Sequence, residues 1–155
     1  MSSPLSQLHP LRKRQRGTGL LEVMVAVVIL TIGLLGMAGL QARALKGSQS
    51  SLQRSQAVML SYFVLDAIRA DRSNAKNYTM NKTCTPPSDA GTLVSHIQNK
   101  WITNLRTNLG SGNNTCGTIN CVATGADTLC TVSIQWDDSR AGGSATETIQ
   151  ITSRL

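Results

Sequence analysis

The sequence predicts an α+β protein in which a long N-terminal helix, a membrane span continued by an amphipathic half, carries a small antiparallel β-sheet head. Three observations predict it. From Thr18 to Leu40 the chain is apolar apart from a single charge, Glu22, and that is the length a helix needs to cross a bilayer. No proline lies between Pro10 and Pro86, and from Ala42 to Asp71 Gly47 is the only glycine. Near the C-terminus Cys130, Val132, Ile134 and Trp136 alternate with Thr131, Ser133 and Gln135, the period of a half-buried strand.

Residues 1–17 hold Pro4, Pro10 and the basic run Arg12-Lys13-Arg14-Gln15-Arg16-Gly17, and nothing in them forms an apolar face. Lys and Arg precede the apolar stretch, so the positive-inside rule keeps the N-terminus cytoplasmic and sends everything after Leu40 outward. An ordinary secretory signal has a shorter apolar region that ends in a small-residue cleavage site. Here an acid stands at the start of the span instead.

The helix is expected to run from about Thr18 to Arg72. In its second half Leu45, Leu52, Met59 and Phe63, and also Val58, Leu65 and Ile68, recur at helical spacing and predict a face turned to the head. Asn74–Ala90 changes to Asn, Thr, Lys, Ser and Pro and reads as a loop. Asp89 is placed to cap a short helix with Leu93, Ile97, Trp101 and Leu105 four apart on one face. Gly110–Thr115 is a turn, the Cys130–Trp136 alternation a strand, and Asp137–Ser144 a loop. Ile149 and Ile151, alternating with Thr148, Gln150 and Thr152, make the partner strand.

The formal net charge is +7, but four of the basic residues stand in the first seventeen positions. Without them eleven Lys and Arg face eight Asp and Glu, a net of +3. With only five aromatic residues and no basic stripe, nucleic acid is not an expected partner. Cys84, Cys116, Cys121 and Cys130 all follow the span, which favours an oxidising compartment and disulfides. The spacings C-x31-C, C-x4-C and C-x8-C lack a C-x2-C pair, and His9 and His96 are poorly placed for zinc. Four cysteines allow three pairings, and the sequence leaves all three open. Asp137-Asp138 has no third ligand nearby and reads as a strand end, so no metal and no cofactor are expected. No nucleophile, base and oxyanion set is present, which argues against an enzyme. Trp101 and Trp136 read as core anchors, His96 as a surface residue, and the sequons at Asn77, Asn81 and Asn113 as surface loops.

The run Arg16-Gly17-Thr18-Gly19-Leu20-Leu21-Glu22-Val23, with the apolar stretch through Leu40, resembles the type IV prepilin and pseudopilin signature. The resemblance implies a type IV pilin-like fold and a single cut by a prepilin peptidase after Gly17. Thr18 becomes the new N-terminus and the site of N-methylation, and Glu22 stands fifth in the mature chain. It divides the chain into a leader peptide (1–17), a transmembrane and filament-core helix (18–41), its amphipathic continuation (42–75) and a disulfide-braced periplasmic head (76–155). The residue after the cut is usually Phe in that family, whereas here it is Thr18.

A carboxylate within a membrane helix costs several kcal/mol unless it is paired. In a helical assembly Glu22 of one subunit can pair with the Thr18 amine of a neighbour and set axial register; the plainer reading is a side chain snorkelling at the helix start. Gly33, Gly36 and Gly39 fit either a helix that loosens in a filament or ordinary close helix packing.

Leu21-Glu22-Val23-Met24-Val25-Ala26, Thr31 to Gln41, and Thr131 to Arg140 are similar to the PilV class of minor pilins, the type IV pilus modification proteins; Trp101, Leu105 and Leu109 fit too. Gly110-Ser111 departs from the proline-bearing turn expected there. The class implies a subunit that helps initiate a type IV pilus in a tip complex and supports twitching motility and adhesion. Its expected partners are the peptidase, other minor pilins and the major pilin, inner-membrane lipid before assembly, and a tip adhesin where one is present. The expected location is the bacterial inner membrane in a single pass, then the pilus. The readings set against it are a minor pseudopilin of type II secretion, an uncleaved membrane-anchored periplasmic enzyme or receptor, and a DNA-uptake pilin.

Overall fold

A computed structural model describes residues 19–155. Its elements are α1 (Leu20–Ala70), a 3-10 helix (Arg72–Tyr78), β1 (Met80–Thr83), α2 (Leu93–Leu109), β2 (Cys116–Thr124), β3 (Asp127–Trp136), a 3-10 turn (Ser139–Ala141) and β4 (Glu147–Arg154). The predicted long helix with a small antiparallel sheet is the observed fold class. The chain divides into two compact units, one ending at Leu40 and one formed by Gln41–Leu155.

In the first unit the helix exposes Leu, Val, Ile and Met on every side, up to 78 % at Leu20. No residue of its most apolar stretch is buried. A helix apolar all round suits a core or a membrane.

In the second unit a four-stranded antiparallel sheet has the order β1-β2-β3-β4. The β2–β3 hairpin turns at Gly125-Ala126, where Gly125 has φ 65°, the positive value such a two-residue turn requires. Cys130, Val132, Ile134 and Trp136 are buried as their alternation predicts, and Ile149 and Ile151 of β4 are half-buried. Against this face pack Ala57, Val64, Leu65 and Ile68 of α1 and Trp101, Ile102, Leu105 and Leu109 of α2.

Several expectations are corrected. The Leu45, Leu52, Met59 and Phe63 row is exposed, Leu45 by 71 %; the buried face of α1 is Ala57, Ser61, Val64, Leu65 and Ile68. Both rows have helical spacing, so periodicity alone does not choose between them, and the small Ala57 and Ser61 bring the buried face close to its neighbours. Helix α2 is capped by Thr92, which accepts from the Ser95 N–H at 3.2 Å in a capping box. Asp89 supports that cap from outside, accepting from Gly91 N and Ser95 Oγ and meeting His96 Nδ1 at 2.9 Å. Leu93 is exposed, and the buried stripe starts at Trp101. The segment 74–90 holds the end of the 3-10 helix and β1, and β2 arises where no strand was expected.

Candidate functional site

The first candidate region is the start of α1. Gly17 and Thr18, the expected cleavage and methylation positions, lie outside the described residues, as do Arg12, Lys13, Arg14 and Arg16. Helix α1 opens where the Gly19 carbonyl accepts from Glu22 N at 2.9 Å and from Val23 N at 3.4 Å. Glu22 therefore sits in the first turn, where unpaired backbone N–H groups and the positive end of the helix dipole favour a carboxylate. Its side chain has no ion-pair partner among the described residues. From Leu20 to Leu40 the helix rises about 32 Å at ~1.5 Å per residue, which matches the hydrocarbon thickness of a bilayer. Its 18-residue apolar window has a mean hydropathy of 2.6, so the helix is long and apolar enough to cross a membrane.

The second region is the head. Its cysteines pair Cys84–Cys116 and Cys121–Cys130, one of the three connectivities open in the sequence. Cys121 and Cys130 face each other directly across β2 and β3. Cys84–Cys116 closes a loop that contains the whole of α2, its ends 32 positions apart in the sequence. By loop closure Cys121–Cys130 is worth about 2.7 and Cys84–Cys116 about 3.7 kcal/mol.

Side-chain contacts join α1 to the rest of this unit. Trp101 Nε1–H donates to the Leu60 carbonyl at 3.0 Å, and Ser50 Oγ donates to Asp138 Oδ2 at 2.6 Å. Arg54 pairs with Glu147, and Arg69 Nη2 donates to Ser153 Oγ at 3.1 Å. Asp138 is only 2 % exposed; its Oδ1 and Trp136 Nε1 are sealed from solvent without a partner among the described residues. Burial, and then the hydrogen bond to Asp71, push the Tyr78 hydroxyl up to about 12.

Sequence reasoning did not single out three residues that shape the head. Gly117 gives Trp101 its place: a Cβ there would stand 2.6 Å from the indole. A glycine inside a strand signals such close approach. Arg106 donates to the Cys84 carbonyl at 2.7 Å and to the Ser111 carbonyl at 2.7 Å, tying two loops together. Thr115 is buried at the entry to β2. Neither of these two carried a pattern that could have marked it. Among the described residues no cluster of His, Cys, Asp or Glu is placed to hold a metal.

The chain matches no curated protein and no solved structure. Residues 12–38 match the family model for the prokaryotic N-terminal methylation motif. That motif, read with the apolar helix it overlaps, supports a type IV prepilin-like or pseudopilin-like protein, processed by a prepilin peptidase and assembling with other pilins.

Proposed function

We propose that the chain is a minor pilin of the PilV class, a structural subunit that helps initiate a type IV pilus in a tip complex with other minor pilins and so supports twitching motility and adhesion. The observation that carries this reading is a methylation motif set on a helix whose apolar length holds one carboxylate in its first turn. In this reading residues 1–17 are removed, Thr18 becomes the methylated N-terminus, 18–41 cross the inner membrane and later form the filament core, 42–75 continue the helix, and 76–155 form the periplasmic head. The work is done by packing.

The amine released at Thr18 is the cation that Glu22 lacks. A charged side chain costs about 2.5–3.5 kcal/mol at the centre of a membrane helix and less near its end, and pairing with a neighbour's amine relieves the cost at one axial offset only. Lateral apolar contacts then add affinity without register. The head, braced by two disulfides, presents the surface that other pilins and a tip adhesin meet.

Intact mass and N-terminal sequencing of protein recovered from membranes, with and without the prepilin peptidase, test the reading. A chain that begins at Thr18 only when the peptidase is present supports it, and a methylated amine supports the Thr18 assignment. An unprocessed chain in both strains sinks it and leaves a membrane-anchored domain. Co-purification with secretion-system pseudopilins in place of minor pilins would move the chain to type II secretion.

A further inference from the structure

A polar cleft of ≈ 560 Å³ opens in the second unit between Gln49 and Gln53 of α1, the C-terminal end of α2 with the loop after it, and the loop after β3. Its volume falls in the range of small-molecule sites. We propose that the cleft binds a neutral oligosaccharide. The proposal stands on the second unit alone and does not depend on the assembly role.

The lining offers hydrogen bonds that the fold does not use. The amides of Gln49 and Gln53, the hydroxyls of Ser111 and Thr115, and the guanidinium of Arg140 line the cleft and have no side-chain partner among the described residues. Thr115 is the most telling of them. The residue lines the cleft and is 2 % exposed, yet its hydroxyl has no hydrogen-bond partner among the described residues. That hydroxyl is not one of the unpartnered atoms sealed from solvent, so it stays open to water, which a ligand hydroxyl can replace.

The walls are also held in place. The Ser50–Asp138 hydrogen bond of 2.6 Å fastens the loop after β3 to α1 between the two glutamines. Arg106 fixes the opposite loop through the Ser111 carbonyl at 2.7 Å, and the Cys84–Cys116 disulfide anchors the residue that follows Thr115. A site held this way loses little freedom when a ligand enters.

Charge and shape select the ligand class. Hydrogen bonds from the Ser139 hydroxyl and backbone N–H hold Asp137 below the usual carboxylate range, with Arg140 nearby favouring the same ionised form. One anion beside one cation gives the lining no net charge, which does not suit a phosphate or a carboxylate ligand. None of the five aromatic residues lines the cleft, so a nucleobase has nothing to stack on. Leu109 and Ala141 are its only apolar side chains, too little for a lipid tail. No strand edge opens into it, so an extended peptide would gain no backbone ladder. A ring of neutral hydroxyls, each both donor and acceptor, is the class that amides, hydroxyls and one balanced ion pair satisfy.

The test uses the full chain in lauryldimethylamine oxide micelles, which carry no sugar headgroup. Maltotriose, cellotriose and chitotriose are titrated in by calorimetry and saturation-transfer NMR, with inorganic phosphate and a neutral hexapeptide as comparison probes. We expect at least one trisaccharide to saturate with a Kd at or below about 5 mM, and Gln53→Ala and Asp137→Asn each to weaken it about tenfold. Thr115→Val is the sharper variant. Because its hydroxyl has no partner to lose, the melting temperature should hold or rise while binding weakens about fivefold.

Near-UV circular dichroism of the two tryptophans confirms that each variant is folded. The proposal is overturned if no trisaccharide saturates below about 20 mM. It is equally overturned if binding survives all three substitutions, or if only phosphate or the peptide binds.

Discussion

Within α1 the stretch from Leu20 to Leu40 buries nothing, whereas from Ala57 to Ile68 the same helix contributes five residues to a closed core. The backbone is alike in both, so hydrogen bonding along the helix does not distinguish them. What differs is where the apolar surface goes. In the second half about every third or fourth residue is inward, and burial of each large side chain contributes about 1.5–3 kcal/mol. In the first half every direction is apolar, and nothing among the described residues covers it. One region is stabilised from within and the other only by its surroundings, so substitutions should separate cleanly by region.

The largest separation is expected at Trp101, which is fully buried and hydrogen-bonded to α1. Trp101→Ala should cost about 3–5 kcal/mol in chemical denaturation of the head, while the protein still partitions into membranes. Equal loss of membrane partitioning would erase the distinction between the regions. Next come the disulfides: Cys84→Ser with Cys116→Ser should destabilise by about 3.7 kcal/mol, and the Cys121, Cys130 pair by about 2.7, read from urea midpoints. The reverse order would show that loop length does not govern the head.

Gly117→Ala should cost about 1–3 kcal/mol, because the new methyl meets an indole packed in the core. Ile29→Ala in the exposed span should change head stability by less than about 0.5 kcal/mol. The last effect concerns pH. The Tyr78 hydroxyl is raised to about 12 from 10.0, so the neutral form is favoured in the fold. That stability is complete below the unfolded value and fades as pH rises from about 10 to about 12, by at most about 3 kcal/mol. In a pH series of denaturation midpoints, the difference between wild type and Tyr78→Phe should change only in that window.

The sequence made the two regions legible to different depths. The span is legible because a run of apolar residues broken by one acid needs no partner to be recognised. Strand β3 is legible because one face is buried and the other is wet, giving strict alternation from Cys130 to Trp136. Strand β2 is not, because toward the hairpin its residues are exposed on both faces, and Gly117 is there for the sake of an indole on another element. The exposed row Leu45, Leu52, Met59 has the same spacing as a buried one. Which row faces the core depends on neighbours that periodicity does not see. At the start of α1, Glu22 was visible as the one charge in an apolar stretch. For the cleft, Thr115 was invisible, because the hydroxyl of a buried residue leaves no trace in spacing or charge.

The two disulfides also set how far the head can be drawn out under tension. If the chain is pulled between Gln41 and Leu155, the residues between Cys84 and Cys116 and those between Cys121 and Cys130 take no part in the extension. At ~3.5 Å per residue they withhold about 110 Å and about 28 Å of contour. An oxidised head that yields to force therefore lengthens by much less than a reduced one, so a strained filament carrying it would give way in short steps.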